Sequence, residues 1–189
     1  MRFYEYESKA LFRKRGLPLG ASRVVSSASE ARAAASELGG PVVVKSQVLS
    51  GGRMKAGAVQ FADTPEQAAA HFERVLPIVV KGERARCVLV EQRSAVAKEY
   101  FASVTWDGRR KLPVLLFSDM GGIDIEEVAE KHPDHVSKTH FSTIHPVTPR
   151  IAKEAIGATG VSGDALVRLT PIVFELMPPA FTLLQLQRT

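Results

Sequence analysis

The sequence has one cysteine and one tryptophan among 189 residues. A single thiol excludes an intramolecular disulfide, so the fold must rest on its core, and Cys87, in the apolar run CVLV, is expected to be a small core residue. No apolar run approaches the ~20 residues of a membrane helix. The opening MRFYEYESKALFRKRG has no apolar stretch of the kind that directs secretion, so the expectation is a cytoplasmic protein with no membrane role. The common phosphate loops are missing too. There is neither G-x-x-x-x-G-K-[ST] nor G-x-G-x-x-G after a strand, which argues against P-loop and Rossmann chemistry. Nor do Lys and Arg form a stripe interleaved with aromatics, which argues against a nucleic-acid partner.

What is present is ordinary for a globular chain: 45% hydrophobic and 24% charged residues, with a net charge of +5. That charge is uneven. Residues 1–60 carry ten Lys/Arg against four Asp/Glu, residues 61–99 six against six, and the remainder nine against ten. A local anion such as a nucleotide phosphate suits an excess of this size and place.

Helices and strands alternate along the chain. A helix is predicted from about Tyr4 to Arg15, capped by Gly16. Ser22–Val25 reads as a strand, and Ser27 with Glu30 makes a capping box for an alanine-rich helix ending at Gly39-Gly40. PVVVKSQV is a strand, Ala58–Phe61 a returning one, and Thr64-Pro65 opens another helix. Strands at Cys87–Glu91, Lys98–Trp106 and Leu112–Phe117 follow, the last two joined as a hairpin. Further helices are expected from Thr148-Pro149 to Gly157 and from Asp164 until Pro178-Pro179 break the pattern. The class is α/β in the α+β sense, with mixed, partly antiparallel sheets.

In VVVKSQVLSGGRMKAG, residues 42–57, three valines drive a strand into Lys45. A lone lysine there can be a charge that reaches solvent from a strand edge. Gly51 and Gly52, however, offer bare backbone for close approach of a ligand, and Arg53 and Lys55 add donors suited to phosphate oxygens. In VLVEQRSAVAKEY, residues 88–100, an apolar strand ends at Glu91 and a second carboxylate, Glu99, follows eight residues later. Such a segment can hydrogen-bond an adenine edge or ribose hydroxyls, or simply present two acids to solvent.

Together with YEYESKALFRKRGLPLG and SDMGGIDIEEVAEKHPDHVSK, these motifs resemble, in order and spacing, the amino-terminal ATP-grasp region of succinyl-CoA synthetase β subunits. Malate-CoA ligase, citryl-CoA synthetase and ATP-citrate lyase belong to the same wider family. The resemblance implies an ATP-grasp fold of two lobes that grip ATP or GTP, here residues 1–20 plus 100–189 and residues 21–99. It implies that Lys45 reaches the phosphates, that Gly52-Arg53-Met54 is the phosphate loop, that Glu91 lies beside the base, that Ser94 makes another nucleotide contact, and that Glu99 holds the ribose. It further implies phosphoryl transfer to a histidine on a partner α subunit that also carries the CoA site, ahead of an acyl phosphate and an acyl-CoA. No catalytic residue is thereby assigned to this chain.

Three departures bear on that reading. Met54 stands where the family loop has its second glycine; were that position at positive φ, Met54 would carry strain of about 1 kcal/mol. Met120 replaces the acid usual before the Gly-Gly pair, with Asp119 adjacent. The family's Mg²⁺-binding asparagine lies on a strand that Phe181–Thr189 either stops short of or replaces, with Gln185 and Gln187 at its polar positions. The expectation is therefore a fold incomplete at its C-terminus, with Mg²⁺ ligands absent from this chain. His132, His135, His140 and His145 match no metal signature and are read as surface residues, and IDIEEVAEK as a solvated helix face. The alternative function is a truncated non-catalytic paralogue that binds nucleotide weakly or only a protein partner.

Overall fold

A computed structural model describes residues 2–142 and 144–186, with side chains through residue 177. The chain forms two compact units, Arg2–Ala95 and Val96 onward.

The first unit holds α1 (Glu5–Lys14), β1 (Ser22–Val25), α2 (Ala28–Leu38), β2 (Val42–Ser46), β3 (Val59–Ala62), α3 (Pro65–Val75), the two-residue strands β4 (Val79–Val80) and β5 (Glu83–Arg84), and β6 (Val88–Gln92). β1, β6, β2 and β3 make one sheet in that order, with every neighbouring pair antiparallel. The helix ends follow the sequence signals. Ser27 Oγ accepts the Glu30 N–H at 3.2 Å, Thr64 Oγ1 accepts the Gln67 N–H at 3.2 Å, and Gly39 closes α2 at φ +67°. Strand alternation sets the two faces. Val42, Val44, Val88 and Val90 are fully buried against Ala31, Ala34 and Ala35 of α2 and Ala68, Phe72 and Val75 of α3. Each buried valine contributes on the order of 2 kcal/mol of hydrophobic stabilisation. The same alternation turns Lys45 and Glu91 to the opposite face.

By contacts α1 belongs to this unit, whereas the sequence reading groups residues 1–20 with residues 100–189. Cys87 is only half-buried, just ahead of β6, rather than in the core. Burial, followed by the negative charge of Glu7, pushes its thiol above the usual cysteine range.

The second unit holds β7 (Phe101–Asp107), β8 (Leu112–Ser118), α4 (Ile125–Lys131), a 3-10 turn at Pro133–His135, β9 (Val136–His140), α5 (Pro149–Gly157) and α6 (Gly163–Leu186). β7, β8 and β9 pair antiparallel in that order, and Leu115, Phe117, Ala152, Ala155, Ile156, Val173 and Met177 form the core between sheet and helices. β7 begins at Phe101, paired with Ser118, rather than at Lys98. The Gly121 N–H takes the Glu99 carbonyl at 3.0 Å and so diverts residues 98–100 from the ladder.

The helix from Asp164 also differs from expectation. α6 continues past Pro171, Pro178 and Pro179 to Leu186. Proline holds φ near the helical value and forfeits hydrogen bonds, so a pair weakens a helix without forcing it to end. Gln185 therefore lies in a helix and not in a strand, while Gln187 lies outside the described residues.

Candidate functional site

The end of β2, the loop after it, α1 and β6 together place three cations and two acids in one cluster. Lys45 Nζ lies 2.6 Å from Glu91 Oε2, on the neighbouring strand β6, and 3.0 Å from Glu5 Oε1, on the first turn of α1. Arg53 Nη2 lies 2.8 Å from Glu5 Oε2, and its Nη1 donates to the Ser46 carbonyl at 3.0 Å. Lys9, one turn along α1, pairs with Glu91 and lies 3.9 Å from Glu5. All five side chains are 13–24% exposed, so the charges are neither free in water nor sealed from it.

The ionisation of each group follows. Burial disfavours the charged form of Glu91, but Lys45 and Lys9 outweigh it and hold the carboxyl below its usual range. Burial likewise opposes ionised Glu5, and Lys45 and Arg53 outweigh it. For Lys45 the penalty of burial is overcome by Glu91 and Glu5, and its ammonium is held above the usual lysine range. With Lys9, Lys45 and Arg53 against Glu5 and Glu91, the cluster keeps one net positive charge.

The glycine loop sits beside these cations. Gly52 has φ +96°, a conformation that favours glycine, and a Cβ built there meets nothing closer than Lys81 Cε at 3.8 Å. The loop is braced from both sides. The Ala58 N–H bonds the Arg53 carbonyl at 2.9 Å and the Ala56 N–H the Gly52 carbonyl at 3.1 Å. From the β4–β5 hairpin, Glu83 Oε2 accepts the Leu49 N–H at 2.9 Å and the Val80 carbonyl accepts from Ser50 Oγ at 3.2 Å. Met54 is 60% exposed and has no positive φ; among the described residues only Lys81 and Lys111 do so without being glycine. The strain anticipated for Met54 is therefore not present.

Of the seven residues singled out from the sequence, Lys45, Arg53 and Glu91 meet in the cluster, while Gly52 and Met54 lie in its loop. Ser94 is exposed in the segment after β6, where the Arg93 N–H bonds the Pro41 carbonyl at 2.8 Å. Glu99 belongs to the second unit, where Gly121 and Gly122 cradle it. A Cβ at Gly121 would come within 2.6 Å of the Glu99 carbonyl carbon, and one at Gly122, itself at φ +74°, would strike the Glu99 carboxylate. That close approach accounts for the glycine pair. Next to it Asp119 Oδ1 lies 2.7 Å from His135 Nδ1 and Oδ2 3.2 Å from Lys98 Nζ. Burial opposes ionised Asp119, but His135 and Lys98 hold its carboxyl low. His140 is not a surface histidine: it is half-buried, with Nε2 2.7 Å from Asp107 Oδ2.

Glu5 and Lys9 were missed by the sequence reading. Their i,i+4 spacing puts both on one face of α1, a signal that identifies a shared face but not the strand it meets.

Comparison with known proteins follows the same line. Residues 2–182 match the ATP-grasp domain family. The chain is 37% identical over 181 residues to the ADP-forming succinate–CoA ligase subunit beta 1 of Archaeoglobus fulgidus, covering 96% of this chain and 47% of that protein. It is 37% identical over 176 residues to the GDP-forming succinate–CoA ligase subunit beta of Thermus thermophilus, covering 93% and 46%. The chain thus spans about half the length of these curated relatives. Among solved structures, a dinucleotide-forming acetyl-coenzyme A synthetase 1 from Ca. Korarchaeum cryptofilum superposes with a TM-score of 0.75 at 19% identity, over 95% of this chain and 80% of that one. ATP citrate lyase from Methanothrix soehngenii does so at 0.65 and 17%, over 93% and 42%. With the motifs, the antiparallel sheets and a family match over nearly its whole length, the chain belongs to the ATP-grasp family.

Proposed function

We infer that this chain is the nucleotide-binding part of an ADP- or GDP-forming acid–CoA ligase of the succinate–CoA ligase β-subunit kind. The observation that carries the reading is the convergence of Lys45 and Arg53 on a single carboxylate, 3.0 and 2.8 Å away, beside the open backbone of Gly52. Two cations set to bridge one anionic group fit a phosphate equally well. In this reading Lys45 and Arg53 offset charge on the nucleotide phosphates, and the backbone of Gly52, Arg53 and Met54 borders them. Glu91 is assigned to the base, Ser94 to a further nucleotide contact and Glu99 to the ribose hydroxyls.

Phosphoryl transfer asks the protein mainly for position and for charge around the transferring group. Lys45 and Arg53 supply that charge. The histidine that receives the phosphoryl group and the CoA site are assigned to a partner α subunit. Among the described residues no three His, Cys, Asp or Glu side chains converge as a metal cage.

Calorimetric titration of the 189-residue chain with ATP and with GTP tests the reading. Saturable binding of at least one is expected. Absence of binding at millimolar nucleotide would overturn it in favour of a chain that engages only a protein partner.

A further inference from the structure

The cluster contains a carboxylate that the nucleotide reading does not use. Glu5 bridges the same two cations that the reading assigns to phosphate, with Oε1 on Lys45 and Oε2 on Arg53. A carboxylate and a terminal phosphate group share the features those cations recognise: negative charge and more than one oxygen, each able to accept from a different cation. Both cannot occupy one position between Lys45 and Arg53.

We propose that Glu5 holds the phosphate position in the nucleotide-free chain and must leave Lys45 and Arg53 for nucleotide to bind, acting as a built-in competitor that sets affinity.

Two further observations support this. Glu5 Oε2 is buried and sits 2.8 Å from Arg53 Nη2 without an aligned hydrogen bond, so one directed bond, from Lys45 to Oε1 at 3.0 Å, and the charge of Arg53 hold this carboxylate in place. It also has somewhere to go. Lys9 Nζ lies 3.9 Å from Glu5 Oε1, one helical turn along α1, so a change of side-chain torsion trades Lys45 for Lys9 without moving the helix. Lys45 keeps its bond to Glu91 at 2.6 Å in either arrangement and so stays in place for an incoming phosphate.

The proposal rests on the nucleotide reading, and the two can fail separately. If Glu5 occupies the site about nine times in ten, its removal is expected to tighten binding about tenfold. ATP and inorganic triphosphate would be titrated into the unaltered chain, Glu5→Gln and Glu5→Asp, each checked for a cooperative thermal melt. Glu5→Gln is expected to bind both ligands about tenfold more tightly. Glu5→Asp, one methylene too short to bridge both cations, is expected to fall between. Unchanged or weaker binding in folded variants overturns the proposal and makes Glu5 a residue that positions the cations. Carbon-13 NMR of the Glu5 carboxyl in the unaltered chain supplies a readout without substitution. Its resonance is expected to move on saturation with triphosphate, and a stationary resonance overturns the proposal. No ATP binding by any form overturns the nucleotide reading, and this inference with it.

Discussion

Lys45 can stand at the end of an apolar strand because two acids from different elements reach it. At about 3 Å and an effective dielectric of ~20, each contact is worth on the order of 5 kcal/mol of attraction, most of it offset by the cost of taking the charges out of water. What remains is sensitive to protonation. Glu5 and Glu91 are ionised more readily in the folded chain than their ordinary value of 4.5 implies, so their contribution is complete above about pH 4.5 and is lost as pH falls through the lowered folded values. Asp107, lowered to about 2 first by its hydrogen bond to His140 and then by the N–H groups of Arg110 and Arg109, extends the acid-sensitive window below 3.8. Lys45 adds the opposite edge: its ammonium is held above 10.5, and its contribution is lost as pH rises through that higher value. Glu91→Gln is expected to lower the melting temperature at neutral pH and to flatten its decline below about pH 4.5. A decline parallel to that of the unaltered chain would show that Glu91 is not ionised against Lys45 and Lys9.

The glycine loop depends on an element with little sequence signature. β4 and β5 are two residues each, too short to show alternation, yet their hairpin supplies the acceptor for the Leu49 N–H and the carbonyl for Ser50. Glu83→Ala is expected to cost about 1 kcal/mol for the lost charged acceptor and to weaken nucleotide binding severalfold through a looser loop. Unaltered affinity would show that residues 50–54 hold their shape without the hairpin. The longer elements were legible. VVVKS and VLVEQ announced β2 and β6 by apolar content, and Ser27, Thr64, Gly16 and Gly39 marked helix ends through backbone chemistry that acts locally. β9 was not legible, because Val136–His140 is largely polar and is a strand only through its pairing with β8. Nor was the course of α6, where proline pointed to a stop. The site was half legible. Lys45, Arg53 and Glu91 lie on elements the pattern identifies, but the pairing of Lys45 with Glu91 needs the β2–β6 register, and Glu5 with Lys9 needs α1 set over the outer face of the sheet.

At the scale of the molecule, two units each carry their own core, and the charged cluster lies wholly within the first. Lys9, Lys45 and Arg53 of the basic residues 1–60 lie there against Glu5 and Glu91, and account for only part of the excess in that stretch. The second unit carries Glu99, packed against Gly121 and Gly122. We assign the nucleotide phosphates to the cluster and not to the histidines after α4. Calorimetric ATP titrations of Lys45→Ala and His135→Ala beside the unaltered chain, with thermal melts to confirm folding, test it most directly. Lys45→Ala is expected to weaken binding by about tenfold or more, the loss of one charge-assisted contact, and His135→Ala to leave the affinity within about twofold. Equal effects of the two substitutions in folded protein would contradict the claim and place the phosphates elsewhere.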